Sequence, residues 1–430
     1  MLCPTSSSRR VGAVVVSRRA VIVMGAPVLI GSSVAGLTQY LYQVVGARVL
    51  GSDAFAPVAV LWTLQYLLFA VFYFPLEMLI ARTVLRDGGA SVRPQLAGAG
   101  LYVGLTAAVA GSASWAFSDV LFRGEDVLVG VVVLSAVTYG SYCIVRGCLS
   151  GLGRHTEYAW LTGGESSLRL ILALAIALVG ATTVSFAITV PAGAALLLLV
   201  GLARSRHRWS RTLPLGADGA RFVAGGVAAG LGAQALLAGG PLLLPMMGAS
   251  SREISVAFMT LMVVRAPLVI GFSGLLSRLQ PVFEAQAATG ALLRRLTSWM
   301  LKTIFAIVLV SAAALATGPA AMQAIFGVAY RPTAHFFGLC TAAALLALAN
   351  LLLNQMLVAH DRENRLAAPW VVATLAAVVL AITLPLDPLT ALGCAFLAGE
   401  LVAAACLLVT LQGAGGRTPA QQRLADEPYC

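Results

Sequence analysis

Thr182-Thr-Val-Ser-Phe-Ala-Ile-Thr-Val-Pro-Ala-Gly-Ala-Ala-Leu-Leu-Leu-Leu-Val-Gly-Leu-Ala-Arg204-Ser-Arg206-His207-Arg208-Trp209-Ser-Arg211 puts an uncharged apolar run directly against a basic one. As a helix rising about 1.5 Å per residue, residues 182–203 are long enough to cross roughly 30 Å of bilayer hydrocarbon. Arginines at the end of such a run mark a loop retained on the cytoplasmic side. The same pattern recurs along the chain. Of its 430 residues, 59% are hydrophobic and 10% charged. A soluble domain carries roughly 25% charged residues, so an ordinary cytosolic enzyme is excluded.

Apolar runs extend from Val21 to Leu411. They predict an all-α polytopic membrane protein of twelve transmembrane helices. The first six cover 21–46, 54–81, 95–117, 126–150, 159–180 and 182–203. The second six cover 221–247, 254–276, 297–317, 334–359, 367–384 and 388–411. The implied units are a basic tail (1–20), a six-helix lobe (21–203), an interlobe loop (204–220), a second six-helix lobe (221–411) and a C-terminal tail (412–430). Of 28 Lys+Arg, 20 fall in the tails and in loops on one side. Only Arg48, Arg123, Arg252 and Arg331 fall on the other, and Arg146, Arg169, Arg265 and Lys302 lie in or at the ends of helices. The bias puts both termini in the cytoplasm of a multi-pass inner-membrane protein and requires an even number of spans.

The charge of +11 therefore reads as topology. Arg204–Arg211 resembles a nucleic-acid patch only in isolation; as an interlobe loop it meets anionic membrane lipid, and no nucleic-acid partner is expected. Ser8-Arg9-Arg10-Val11 resembles a twin-arginine export signal, but it reads as a basic cytoplasmic tail before a retained first span. Seven cysteines include no Cys-x-x-Cys pair, so neither a disulfide framework nor a metal site is expected.

Two short charged turns suggest duplication. Leu152-Gly-Arg154-His-Thr-Glu157-Tyr-Ala-Trp160 follows the fourth span and His360-Asp-Arg362-Glu363-Asn-Arg365-Leu-Ala-Ala-Pro-Trp370 the tenth. Leu79-Ile-Ala-Arg82 and Leu275-Leu-Ser-Arg278 end the second and eighth. Six spans per repeat preserve orientation, giving parallel lobes related by an axis along the membrane normal. Folds of this kind bind cargo between the repeats and alternate access by rocking them.

Three stretches carry a family resemblance: Gly46-Ala-Arg48-Val-Leu-Gly51-Ser-Asp53-Ala-Phe55, Arg146-Gly-Cys-Leu-Ser-Gly-Leu-Gly153-Arg154, and Arg265-Ala-Pro267-Leu with Leu279-Gln280-Pro281. With the six-plus-six layout, the chain resembles the multidrug/oligosaccharidyl-lipid/polysaccharide (MOP, MATE-like) exporter superfamily, and within it the polysaccharide-biosynthesis flippases. The resemblance implies a non-enzymatic flippase that carries a polyprenyl-diphosphate-linked oligosaccharide to the outer leaflet. Its partners would be that glycolipid, membrane lipids, and glycosyltransferases or a polymerase. No cofactor is implied beyond H+ or Na+ coupling. The drug exporters of the superfamily use acidic residues within their lobes; spans one and seven here contain no Asp or Glu. A cation-coupled multidrug antiporter and a transport-inactive scaffold of a glycan-assembly complex remain alternatives. Arg86-Asp87-Gly88-Gly89 faintly echoes the major-facilitator turn.

Charges within spans are functional candidates by default. Arg265, deep in span eight, suits a diphosphate that a guanidinium can grip bidentately; it also suits a structural bridge to helix carbonyls. The resemblance favours the first role. Glu165 and Arg169 are four apart and pair on one face of span five, with Thr162 beside them. Glu400 has no local partner and must find one on another helix, meet water or carry a proton. Arg146 is close enough to the end of span four to snorkel to headgroups. Ser32, Gly36, Gln39 and Gln43 form a polar stripe on span one; Trp62, Tyr66, Phe69, Tyr73 and Glu77 form an aromatic one on span two. Such faces suit a sugar-bearing ligand, or helix packing. Arg48 and Asp53, at the outer turn, read as an exit gate or as a solvated turn. The expected cavity lies among spans one, two, seven and eight.

Overall fold

The computed structural model describes residues 18–86, 92–204, 217–266, 291–358 and 365–412. Regular structure among them is entirely helical. Several expectations lie outside the described residues: most of both tails, the run Ser205–Arg211, Pro267 and the second half of span eight, and the turn carrying His360–Glu363.

The first two expected spans are two helical legs joined at a kink and folded back on each other, so that the rings of Tyr42 and Trp62 stack 5.0 Å apart. Helix α1 (Arg18–Leu67) is broken only at Gly51, whose φ of 73° and ψ of 177° are open to glycine and strained for other residues. A π-helical turn, Leu68–Tyr73, leads into α2 (Phe74–Arg86). Proline explains the turn. Pro75 has no N–H to give to Val71, and its ring crowds that carbonyl. The helix widens just before it, so that Phe74 N–H donates to Phe69 O, five residues back.

The remaining elements follow the expected spans closely. They are α3 (Val92–Ala116), a short α4 (Ser118–Phe122), α5 (Val127–Gly151), α6 (His155–Val179) and α7 (Thr183–Arg204). Expected span seven is divided into α8 (Ala217–Ala238) and α9 (Gly240–Met246), because Gly239-Gly240-Pro241 interrupts it. Then come α10 (251–266), α11 (Ala291–Phe326), α12 (Ala334–Val358), α13 (Ala367–Thr383) and α14 (Pro388–Gln412). Among the described residues seven helices are long and apolar enough to cross a membrane, counting Pro27–Arg86 as one; Thr183–Leu199 and Ala367–Thr383 are shorter apolar helices. Leu178, Val179, Trp160 and Phe305 are among many large apolar side chains left exposed. A soluble monomer does not tolerate so much apolar surface; a hydrocarbon surround does. This is a multi-pass membrane protein.

Helices α1–α7 pack chiefly on one another, α1 lying along α6 and α5 receiving α2, α3 and α7. Helices α8–α14 form a second set, in which α12 and α13 lie against α14, α11 against α12, and α8 against α13. The sets meet along a seam. Helix α8 runs beside α2 and the π-turn, while Tyr40 Oη donates to Met262 O and the Phe55 and Phe258 rings stand 6.0 Å apart.

Candidate functional site

A cavity of about 370 Å³ lies at this seam. Helix α1 contributes Ser32, Gly36, Gln39 and Tyr40 from one leg and Trp62 and Tyr66 from the other. Ser32, Gly36 and Gln39 of the polar stripe on span one thus face the cavity together, and their i, i+3, i+4 spacing is the reason. Helices α5 and α6 add Tyr139, Tyr142, Arg146, Thr162, Glu165, Ser166 and Arg169. Among the described residues the second set supplies Leu237, Ala238, Phe258, Met262 and Arg265. All four expected spans, one, two, seven and eight, contribute to the lining, and spans four and five add a further wall because α1 packs along α6.

Glu165 and Arg169 form an ion pair across one turn of α6, with both side chains about 5% exposed. Tyr139 Oη donates to Glu165 Oε1 at 2.6 Å and accepts from Arg169; Ser166 Oγ donates to Oε2 at 3.0 Å. The Arg169 guanidinium lies 4.7 Å from the Trp62 ring centre, a favourable cation–π placement. Gly193 of α7 makes room for this group. A Cβ there would stand 2.7 Å from Glu165 O.

Arg146 does not reach the headgroups. Its side chain is 11% exposed and pairs with Glu77 at 3.3 Å. It stands over the rings of Tyr158, Phe69 and Tyr142 at 4.8, 5.5 and 5.6 Å. Tyr158 Oη donates to Glu77 Oε1 at 3.0 Å. The partner lies on α2, and a basic residue near a helix end carries no local sign of it. Glu77 and Tyr73 also depart from the expected aromatic face. The π-turn inserts a residue into the helical repeat, so Trp62, Tyr66 and Phe69 line the cavity while Tyr73 turns into the packing beside α3. Its hydroxyl meets that of Thr106 at 3.1 Å.

Arg265 is held differently. Nε donates to Leu261 O and Nη1 to Leu237 O, both at 3.0 Å, and the guanidinium sits 5.8 Å from the Tyr66 ring centre. It has no acidic partner among the described residues. Two of its five N–H groups are anchored to the backbone, which leaves three for a ligand. Of the three arginines lining the cavity, two are neutralised by glutamates and Arg265 is not, a surplus of one positive charge. Tyr66 Oη donates to Gln234 Oε1 at 2.9 Å beside it.

Besides Tyr73 and Glu77, three more expected residues stand apart from the cavity. Gln43, one turn beyond Gln39, is 1% exposed and neither end of its amide has a hydrogen-bond partner. Arg48 does not pair with Asp53; Nε donates to Ile325 O at 2.9 Å and Nη2 to Ala324 O. Glu400 of α14 finds its partner on α12: Asn350 Nδ2 donates to its Oε2 at 2.8 Å and its backbone O at 2.9 Å. Glu400 Oε1 and Asn350 Oδ1 remain unpartnered although both residues are fully buried. Among the described residues no cluster of His, Cys, Asp and Glu could hold a metal ion.

With the helices and cavity in view, the likeness to solved proteins is decisive. An inward-facing multidrug resistance MATE family transporter of the MOP superfamily superposes with a TM-score of 0.64, covering 92% of this chain and 99% of that one at 13% identity. The chain has the fold of the MATE transporters. The outward-facing form of a MATE family transporter gives 0.57 at 16% identity, covering 94% and 97%. A MOP superfamily transporter from Pyrococcus furiosus, whose binding pocket has reversed polarity, gives 0.57 at 15% identity, covering 94% of this chain and 96% of that one. At these identities the likeness is one of fold. No family model matches the chain. Curated relatives include two uncharacterized proteins of Mycobacterium tuberculosis. One is 25% identical over 291 residues, 65% of this chain and 66% of that protein; the other is 26% identical over 304 residues, 68% and 69%. The chain therefore spans about two thirds of the length of the curated relatives it matches.

Proposed function

We propose that this protein flips a polyprenyl-diphosphate-linked oligosaccharide, a cell-envelope glycan precursor, from the inner to the outer leaflet. Twelve spans form two parallel six-helix lobes, 21–203 and 221–411, with both termini cytoplasmic, and rocking of the lobes alternates access to the cavity. The observation that carries this reading is Arg265, a cavity cation with no acidic partner among the described residues, beside Tyr66 in a cavity also lined by Gln39 and Trp62. A diphosphate takes the surplus charge and the remaining guanidinium donors. The sugar's hydroxyls suit Gln39, Tyr40 and Tyr66, and its apolar faces suit the aromatic rings. Glycosyltransferases or a polymerase would act before and after it. The test is flipping of such a glycolipid in reconstituted vesicles by wild type and Arg265→Ala; unchanged flipping overturns the site.

A second reading, a cation-coupled multidrug antiporter, draws on one observation. Glu400 is a fully buried carboxylate with an unpartnered oxygen and no cationic partner among the described residues. That arrangement suits H+ or Na+ coupling, which also serves a flippase. The antiporter predicts export of amphipathic cations lost in Glu165→Gln or Glu400→Gln, with Arg265→Ala neutral. A transport-inactive scaffold predicts that all three variants are silent.

A further inference from the structure

Resting on the two-lobe reading above, we propose that Arg48 and Arg123 latch the lobes together on the face beyond Gln43, and that this latch must release before the cavity opens toward that face. Both arginines belong to the first lobe and end on backbone carbonyls of the second. Arg48 Nε and Nη2 donate to Ile325 O and Ala324 O in the last turn of α11. Those carbonyls have no partner within their own helix, and a cation is favoured at that end. Arg123 Nη2 donates to Ala249 O, just past α9, at 2.7 Å. It does so from a left-handed backbone, φ 55° and ψ 40°, the one non-glycine residue with positive φ among the described residues. Such a conformation is unfavourable for a side chain of this size and persists where its surroundings hold it. A third contact crosses at the same face: Ser255 Oγ donates to Ser52 O at 2.6 Å.

Gln43 explains why the closure needs a latch. It follows Gln39 by one turn on the same helix face, and Gln39 lines the cavity. Sealed behind the closed face, its amide keeps neither donor nor acceptor satisfied, an unfavourable state that water or a cargo hydroxyl relieves on opening. Arg48 and its carbonyls are exposed, so water replaces these bonds readily and the closure is reversible. Arg252 is an internal control. It lies on the same face, but its Nε donates to Ala329 O within its own lobe at 3.2 Å.

The test uses the full chain purified in detergent, with Gln43→Cys as a reporter labelled by a maleimide above the parent's background. No hydrogen bond is lost at the reporter. Arg48→Ala and Arg123→Ala should each raise the labelling rate about two- to fivefold, the range for one exposed charge at a helix end, and Arg252→Ala should leave it unchanged. In a second measurement, the yield of a disulfide between Ser52→Cys and Ser255→Cys should fall in the two latch variants. Arg48→Gln serves if the alanine variant misfolds and must also raise the rate. Unchanged rate and yield in the double Arg48→Ala, Arg123→Ala variant overturn the latch, as does an equal effect of Arg252→Ala. Detergent exposes both faces and no transport is measured, so neither the cargo nor the orientation assigned above affects the outcome.

Discussion

Burial decides what each charge near the cavity can do. Glu77–Arg146 and Glu165–Arg169 are ion pairs with little exposure, and a buried pair is costly mainly when half of it is removed. Glu77→Ala leaves Arg146 facing only ring systems and a phenol, and should destabilise the protein by about 3–5 kcal/mol. A fall in melting temperature in detergent checks this. The double variant Glu77→Leu, Arg146→Leu should regain most of the loss. Arg265 differs, because two backbone carbonyls already hold it and no acid depends on it. Arg265→Ala should therefore melt near wild type while losing cargo. Spacing along the chain revealed Arg265, Gln39 and the Glu165–Arg169 pair, since each depends on one helix or on depth within it. The Arg146–Glu77 pair was hidden, because it joins α5 to α2 and neither sequence neighbourhood refers to the other.

Elements set which residues those charges meet. The π-turn before Pro75 directs Phe69 to the cavity and Tyr73 to α3, and a regular 3.6-residue period carries no trace of it. Pro75→Ala lets the turn relax to an α-helix and rotates Glu77 relative to Arg146. We expect a lower melting temperature and impaired transport from that variant; a wild-type profile would mean that the turn has another cause. Close helix contact matters in the same way at Gly193. Gly193→Ala forces α7 off α6 at the Glu165 carbonyl and should cost about 1–3 kcal/mol, read by thermal unfolding. Helix positions themselves were legible because long apolar runs have little alternative in a bilayer. The kink at Gly51 falls in the turn expected between spans one and two, whereas Gly239-Gly240-Pro241 divides one expected span into two helices.

At the scale of the molecule, two helix sets meet at a seam whose cavity carries one surplus positive charge. The succession of long apolar helices was visible in the order of apolar runs and basic loops. The additional wall from spans four and five was not, because that follows from how α1 lies along α6. Glu400 lies away from the cavity, against Asn350. If it carries the coupling ion, Glu400→Gln should still transport but gain nothing from an imposed H+ or Na+ gradient, as measured in vesicles with and without the gradient. The most direct measurement is outward flipping of a polyprenyl-diphosphate oligosaccharide by the reconstituted protein, with Arg265→Ala alongside. Flipping by wild type, reduced at least about tenfold in a folded Arg265→Ala protein, as expected for loss of a desolvated charged contact, is the predicted result. No flipping by wild type, or equal flipping by both, would contradict it.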